Sequence, residues 1–227
     1  MKMTQQQAQH FVKCPKCKVP TFSANTGDGL LDVYCEECGW PESEFNAPTK
    51  SAYHPKPRGM TTTEWIGCSH YFPANAIPRQ PNFNRRLAET ITRQVVNGYF
   101  DLDEIKQVAP NARHPLFNDV PCDYGVRMGS QFAKAILTLK KDPDSRRAVC
   151  ILARPDDEKP PCIQLIQFFI RDNKIITVAY MRSWDLLLGY AYDIHLFQTL
   201  GSEMSKELNK QQGCVWVLVG SSHKYEN

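Results

Sequence analysis

The sequence predicts an α+β fold, because strand-like and helix-like segments follow one another without the regular alternation that builds a parallel sheet. Runs rich in apolar and β-branched residues predict strands at 148–153, 164–170, 175–181 and 215–219. Helical patterns cover residues 85–97, 131–140 and 191–209. At 42% apolar residues, the 227-residue chain has enough apolar side chains for a sizeable core.

Local signals justify the boundaries of these elements. The helix at 131–140 stops before Asp142-Pro143, since proline cannot continue a helix. The four residues 171–174 separate two predicted strands and favour a hairpin turn. Proline is dense in residues 46–82 and breaks regular structure, so we expect a linker or an irregular covering loop there.

Residues 1–45 form a separate zone, in which four of the nine cysteines occur as two Cys-x-x-Cys pairs. Each pair makes a tight turn that directs two sulfurs at one ion, and four thiolates complete the tetrahedral site that zinc prefers. The spacing predicts a zinc-ribbon-like module with a structural Zn²⁺ on Cys14, Cys17, Cys35 and Cys38. A redox-active pair and a metal-free ribbon are the alternatives.

Charge and hydropathy exclude several classes of protein. The net charge is only +3 and no basic block stands out, so charge gives no support to duplex binding or to nucleic-acid contact by the ribbon. The apolar runs are far shorter than the ~18 residues that span a bilayer. The polar N-terminus has no secretory signal region, so we expect a cytoplasmic protein with reduced thiols.

In the second half of the chain, a cysteine and several arginines stand at the ends of predicted strands and turns. Two prolines fix the backbone before Cys162, which stands at the start of a predicted strand. A thiolate at neutral pH needs a positive neighbour, and Arg182 on the returning strand of the hairpin is in position to supply it. The adjacent Arg146 and Arg147 follow a turn and would bind phosphate through bidentate guanidinium contacts.

Taken together, the stretches DPDSRRAV, PPCIQLIQFFI, YMRSWDLLLGYAYDI and SSHKYE resemble the thymidylate synthase and dCMP hydroxymethylase superfamily in order and spacing. The resemblance covers residues 83–227 and implies a catalytic domain with a mixed sheet packed against helices. It also implies transfer of a one-carbon unit from 5,10-methylenetetrahydrofolate to C5 of a pyrimidine deoxynucleoside monophosphate. A thiolate that adds to C6 makes C5 nucleophilic, which is covalent catalysis.

The same resemblance implies a role for each matching residue. The catalytic set is the nucleophile Cys162, the water-ordering Glu89, the phosphate- and thiolate-contacting Arg182, Asp185 beside base and folate, and Tyr124 near the nucleophile. The substrate-binding set is Arg146 and Arg147 from the other subunit, Ser183 on the phosphate, and His223 and Tyr225 on the sugar 3′-hydroxyl. The arginine pair implies a homodimer with shared active sites.

The chain departs from the family pattern in two places. It carries Asp193 where synthases that make dTMP commonly carry an asparagine. An ionised carboxylate only accepts, which suits the amino group of cytosine, so we expect a dCMP hydroxymethylase, with thymidylate synthase acting on dUMP as the alternative. The chain also stops at Asn227, before the tail that closes over folate in the family, so we expect another element to close the site and water to favour a hydroxymethyl product. A nucleotide-binding protein with reduced catalysis and the ribbon as its interaction module is the alternative from another class.

Overall fold

The computed structural model describes the backbone of residues 2–3, 22–25 and 31–34, together with residues 53–76, 80, 83–110 and 123–226. The chain divides into two compact units, Met1–Asn46 and Ala47–Asn227. In the first unit, β1 (Lys2–Met3), β2 (Phe22–Asn25) and β3 (Leu31–Tyr34) form an antiparallel sheet in the order β1-β3-β2. The four cysteines predicted to bind zinc, Cys14, Cys17, Cys35 and Cys38, lie outside the described residues.

The second unit is built on a five-stranded mixed sheet in the order β4-β8-β7-β6-β5. Its strands are β4 (Thr62–Phe72), β5 (Val149–Ile151), β6 (Ile163–Arg171), β7 (Lys174–Asp185) and β8 (Gln211–Tyr225). The β7–β8 pair is parallel and the other pairs are antiparallel. The helices are α1 (Arg85–Asn97), α2 (Leu102–Val108), α3 (Tyr124–Met128), α4 (Gln131–Lys141) and α5 (Tyr190–Leu208). This arrangement confirms the predicted α+β fold with a mixed sheet.

Strand β4 is a difference from the prediction, which assigned residues 46–82 to a linker or an irregular loop. The strand pairs with β8 from Thr62 opposite Tyr225 to Phe72 opposite Val215. Its sequence, TTEWIGCSHYF, is rich in β-branched and aromatic residues. It lies between the prolines of this zone and contains none itself, so nothing in it interrupts a strand. Composition averaged over the zone therefore obscured a strand that supports one side of the candidate site.

Turn chemistry explains why β6 and β7 form a hairpin. Asp172 and Asn173 both adopt the left-handed region, with φ of 49° and 61°. Two successive residues of that kind make the tight turn whose twist matches the flanking strands, and aspartate and asparagine tolerate it better than most side chains. The hairpin predicted at 171–174 is confirmed, and it sets the register from Arg171 opposite Lys174 to Leu165 opposite Tyr180. A register shift between Ile163 and Leu165 then places Ile163 opposite Met181.

One face of the sheet packs against α4 and α5 to form the core. The largest buried side chains include Phe168 of β6, Trp184 of β7 and Phe197 of α5. Phe168 meets Phe132 of α4 edge-on, with ring centroids 5.6 Å apart. Inward and outward residues alternate along β6 and β7, as expected for strands with one buried face. Within the described residues, no helix combines the length and the hydropathy needed to cross a membrane.

Candidate active site

Cys162 and Arg182 lie side by side where β6 begins and β7 approaches its end. The backbone N–H of Arg182 donates to the carbonyl oxygen of Cys162 at 3.0 Å. The side-chain Nε of Arg182 donates to the carbonyl oxygens of Pro160 and Pro161 at 3.0 and 3.2 Å. The guanidinium is therefore held against the backbone that leads into Cys162. The hairpin thus brings Arg182 beside Cys162, and the stabilisation of a thiolate by this cation stays a prediction.

The other described cysteines are poorer candidates for the nucleophile. Burial raises the pKa of the Cys68 and Cys214 thiols, and it raises the pKa of Cys150 to about 12. These groups are protonated at neutral pH, and a thiol reacts far more slowly than a thiolate. Cys162 is half-buried and is not in a disulfide, so position and chemistry single it out among the described cysteines.

Helix α3 brings a buried tyrosine to the same strand. The N–H of Ile163, the residue after Cys162, points to the hydroxyl oxygen of Tyr124 at 3.4 Å. Arg127 on the same helix makes a bidentate ion pair with Asp157, at 2.7 and 2.8 Å, and a further ion pair with Asp123 at 2.6 Å. These bonds tie α3 to the segment that precedes Cys162. Arg127 was not predicted from the sequence, where its signal is a charge inside a short run of otherwise uncharged residues.

A half-buried aspartate, Asp193, lies between the end of β7 and the first turn of α5. The indole N–H of Trp184 donates to Oδ2 of Asp193 at 3.0 Å. Burial raises the pKa of Asp193 to about 7; the Trp184 hydrogen bond opposes this shift, and the nearby charge of Asp185 adds to it. The carboxyl group that the sequence assigned to base recognition is thus present in both charge states near neutral pH.

The turn between β7 and α5 presents an acidic and an apolar surface together. Oδ1 of Asp185 accepts from the N–H groups of Leu187 and Leu188 at 2.8 and 2.9 Å, which closes the turn. The two leucine side chains are 49% and 42% exposed. Gln80, from the proline-rich zone, accepts from the N–H of Ala191 at 3.2 Å and so covers part of this turn.

Strand β8 carries His223 and Tyr225 to the same end of the sheet. His223 lies opposite Asp185 in the parallel ladder, and Ser183 lies opposite Ser221. The ring of His223 meets that of Tyr225 edge-on, with centroids 5.3 Å apart. Nδ1 of His223 is buried and has no hydrogen-bond partner among the described residues. Leaving a buried polar atom unpaired costs about 1–3 kcal/mol, so this atom is a candidate for bonding a ligand hydroxyl.

A cavity of about 390 Å³ opens in the sheet beside Arg182. Its lining includes Cys68 and Ser69 of β4, Gln164 of β6, and Gly220 of β8. A Cβ atom added at Gly220 would lie 2.9 Å from the carbonyl oxygen of Arg182, so a side chain there would press on the strand that holds the guanidinium. The close packing of these strands keeps Arg182 at the wall of the cavity.

Arg146 and Arg147 do not reach this site within one chain. Both are exposed and precede β5, whose Val149 pairs with Gln167 in the middle of β6. Cys162 lies at the opposite end of β6, so the arginine pair is about 20 Å away at ~3.3 Å per residue. Within one chain the arginine pair is therefore separate from Cys162, and its assignment to the phosphate site of another subunit stays a prediction.

Glu89 also lies apart from the nucleophile. It forms an ion pair with Arg85 of the same helix at 2.8 Å. It lines a cavity of about 380 Å³ between α1 and α5, together with His195 and Thr199. No contact among the described residues joins it to Cys162, and its assignment as the water-ordering glutamate stays a prediction.

Comparison with known proteins covers the half of the chain that contains Cys162, Arg182 and His223. The sequence model of the thymidylate synthase family matches residues 112–227. The bifunctional dihydrofolate reductase-thymidylate synthase of Paramecium tetraurelia is 33% identical over 115 residues, which are 49% of this chain and 25% of that protein. The thymidylate synthase of Mycoplasma pneumoniae is 33% identical over 101 residues, which are 43% of this chain and 35% of that protein.

The chain thus spans about a quarter to a third of the length of these two curated relatives. The family match begins after α1 and α2 and includes every strand of the sheet except β4. It contains the matched stretches around the nucleophile, the returning strand and the His-x-Tyr pair. Because the match extends over half of the chain, the chain belongs to the thymidylate synthase family.

Proposed function

We propose that this protein transfers a one-carbon unit from 5,10-methylenetetrahydrofolate to C5 of dCMP and releases a hydroxymethylated nucleotide. The observation that carries the proposal is the placement of Arg182 beside Cys162: their backbones are hydrogen-bonded at 3.0 Å, and Nε of Arg182 donates to the carbonyl oxygens of Pro160 and Pro161, just before the candidate nucleophile. A half-buried thiol beside a fixed cation is the arrangement that covalent catalysis by cysteine requires.

Each step assigns a task to a side chain of this site. The thiolate of Cys162 adds to C6 of the pyrimidine, forming a C–S bond and moving an electron pair to C5. Methylenetetrahydrofolate, when bound, supplies the one-carbon unit that C5 attacks. Loss of the C5 proton then breaks the bond from the methylene carbon to the folate nitrogen, which releases tetrahydrofolate and leaves a methylene group on C5. Water adds to that carbon and gives up a proton, and expulsion of the Cys162 thiolate restores the ring. Asp185 and the exposed Leu187 and Leu188 offer the polar group and the apolar surface that a folate ring needs.

Asp193 supports the preference for cytosine. Its ionised carboxylate accepts hydrogen bonds and donates none, which matches the amino group of cytosine and mismatches the O4 acceptor of uracil. The sugar would bond to the unpartnered Nδ1 of His223, and Ser183 and Arg182 would contact the phosphate. The arginine pair, about 20 Å away along the strand, would complete the phosphate site of a second subunit, which makes the active form a homodimer.

Thymidylate synthase acting on dUMP is the second candidate. Two observations favour it: the matched relatives carry that name, and the pKa of Asp193 is raised to about 7. A protonated carboxyl group can donate to O4 of uracil as the amide of an asparagine does. The two candidates therefore share every residue of the site and differ in the charge of one.

Zinc binding by the N-terminal cysteines is a separate proposal. The hairpin of β2 and β3 lies between the two Cys-x-x-Cys pairs in sequence, and Phe22 is level with Tyr34, the residue before Cys35. Both pairs therefore adjoin the same end of the hairpin in sequence, as in zinc ribbons. A structural ion would supply folding free energy to a unit too small for a core of its own.

Incubation with methylenetetrahydrofolate and either dCMP or dUMP, followed by mass spectrometry of the nucleotide, tests the function. We expect hydroxymethylated dCMP as the main product and none from Cys162→Ala. Asp193→Asn should shift the ratio of kcat/KM for dCMP to dUMP toward dUMP by about tenfold or more, which is roughly 1.4 kcal/mol of hydrogen bonding. Methylated dUMP from the wild type would favour the synthase. Binding of nucleotide without turnover would favour a binding protein.

A further inference from the structure

Trp184 is a buried aromatic side chain inside the candidate site with no assigned role. It is 1% exposed, near the end of β7, between Ser183 and Asp185. Its ring meets His70 of β4 edge-on at 4.9 Å between centroids and packs against Tyr190 of α5 at 5.4 Å. Contacts from a strand and a helix therefore fix the direction in which the indole N–H points.

That N–H is the only hydrogen-bonding group of the indole, and burial obliges it to find an acceptor. It finds Oδ2 of Asp193 at 3.0 Å. Within the described ranges, no other group donates to this carboxyl. A Cβ atom added at Gly189 would lie 3.3 Å from the same oxygen, so the glycine leaves room for Oδ2 beside the indole. With Oδ2 anchored in this way, Oδ1 is the oxygen left for a ligand.

We propose that Trp184 is a positioning residue that determines base specificity, because it anchors Oδ2 of Asp193, directs Oδ1 to the pyrimidine and stabilises the ionised carboxylate that accepts from a cytosine amino group. The proposal rests on the proposed function and extends it to a residue that does not itself touch the base. It assigns the choice between dCMP and dUMP to a pair of side chains, one on β7 and one on α5.

The charges around Asp193 make the indole N–H important for the ionised form of this carboxyl group. Asp185, at the end of β7, disfavours a second negative charge nearby. His70, from β4 on the far side of the indole, is buried with its pKa lowered to about 4, so it supplies no positive charge at neutral pH. Tyr190, from α5, is neutral because burial raises its pKa. Removal of the indole N–H therefore raises the pKa of Asp193 further and favours the neutral carboxyl group, which can donate to uracil.

Trp184→Phe tests the proposal through the ratio of kcat/KM for dCMP to that for dUMP. We expect the ratio to fall about tenfold, and we expect its pH dependence to move to higher pH as the carboxyl holds its proton longer. In the Asp193→Asn background the same substitution should leave the ratio unchanged, because the two side chains act as one unit. Trp216→Phe on β8, whose ring meets Tyr71, is the matched control and should keep the wild-type ratio.

A second measurement needs no turnover and separates this proposal from the proposed function. The ¹⁵N-indole signal of Trp184, assigned by its loss in Trp184→Phe, should titrate with Asp193 in the wild type and be flat with pH in Asp193→Asn. If neither nucleotide is turned over, the proposed function fails, and this titration with the relative affinities for dCMP and dUMP still decides the role of Trp184. If Trp184→Phe does not fold, Gly189→Ala, which crowds Oδ2, should shift the same ratio. An indole signal that does not move, or an unchanged ratio in a folded variant, overturns the proposal.

Discussion

The backbone N–H of Arg182 donates to the carbonyl oxygen of Cys162 at 3.0 Å, so the candidate nucleophile and its cation belong to one ladder of the sheet. The proximity of the two backbones is set by strand register. The β6–β7 hairpin, closed by Asp172 and Asn173, sets that register as far as Leu165, and the irregularity between Ile163 and Leu165 then brings Cys162 level with Arg182.

Replacement of Arg182 should therefore lower the reactivity of the Cys162 thiol without moving the cysteine. For Arg182→Ala we expect the pKa of the Cys162 thiol to rise, with about tenfold less thiolate at neutral pH for each unit of increase, and turnover to fall by at least that factor. The measurement is the pH dependence of alkylation by iodoacetamide, followed at Cys162 by peptide mass spectrometry. Arg171→Ala, at the hairpin end of the sheet, is the control. Equal alkylation profiles for wild type and Arg182→Ala would contradict the pairing.

A shared phosphate site should show itself by complementation. Inactive Cys162→Ala and inactive Arg147→Ala should recover activity when their subunits exchange, because one site of each mixed dimer regains both residues. Random exchange would restore about a quarter of the wild-type sites. Mixing Cys162→Ala with Arg182→Ala is the matched control and should recover nothing, since both residues come from one chain. Recovery in the control, or none in the test, would refute the shared site.

Stability should depend on pH through Asp193 in a defined direction. Its pKa in the folded state is about 7, compared with 3.8 when exposed, so the folded chain binds the extra proton between these values. The contribution of this proton is present below about pH 4 and is lost as the pH rises toward 7, a change of about 4 kcal/mol.

The measurement is the difference in the free energy of unfolding between wild type and Asp193→Asn, from urea titrations over this range. We expect the wild type to lose stability relative to the variant as the pH rises. His70, with its pKa lowered to about 4, acts in the opposite direction but is common to both proteins and cancels. A difference that is flat with pH for Asp193→Asn would contradict a raised pKa at this position.

Zinc should be bound at one ion per chain. Elemental analysis of the purified protein measures it, and the Cys35→Ser and Cys38→Ser double variant should lose the ion because two of four thiolates are gone. Cys214→Ser, which removes a single half-buried thiol of β8, is the control and should retain it. Full occupancy in the double variant would refute the assignment of these ligands.

Local patterns predicted the elements whose apolar residues recur regularly, and the helices α1, α4 and α5 lie within a residue or two of their predicted bounds. Strand β8 was predicted only at 215–219, because its continuation through Ser221 and His223 is polar. That continuation is held by pairing with β4 and β7, which are distant in sequence. The hydrophobic periodicity of one segment contains no information about a pairing partner elsewhere in the chain.

The candidate site was predictable as a set of residues but not as a geometry. The contact of Trp184 with Asp193 joins a strand to a helix across a turn, and no spacing rule signals it. Glu89 was assigned a catalytic role from the residues around it in the sequence. In the structure it forms an ion pair with Arg85 and lines a cavity with His195. Arg147 was assigned from a sequence motif, and its distance from Cys162 follows from which end of β6 the strand β5 adjoins.

The pairing of β4 with β8 also brings the two ends of the second unit together. The N–H of Glu226 donates to the carbonyl oxygen of Thr61 at 2.9 Å, and Tyr53 bonds to Glu64 on the same strand. The first and last described segments of this unit therefore lie beside the same strand, β4. A circular permutant that joins these ends with a short linker and opens at the exposed Asp172–Asn173 turn would keep every strand pairing of the sheet. The order of the strands along the chain can thus change while their arrangement in the sheet stays the same. That arrangement determines the positions of the cysteine, the arginine and the aspartate of the candidate site.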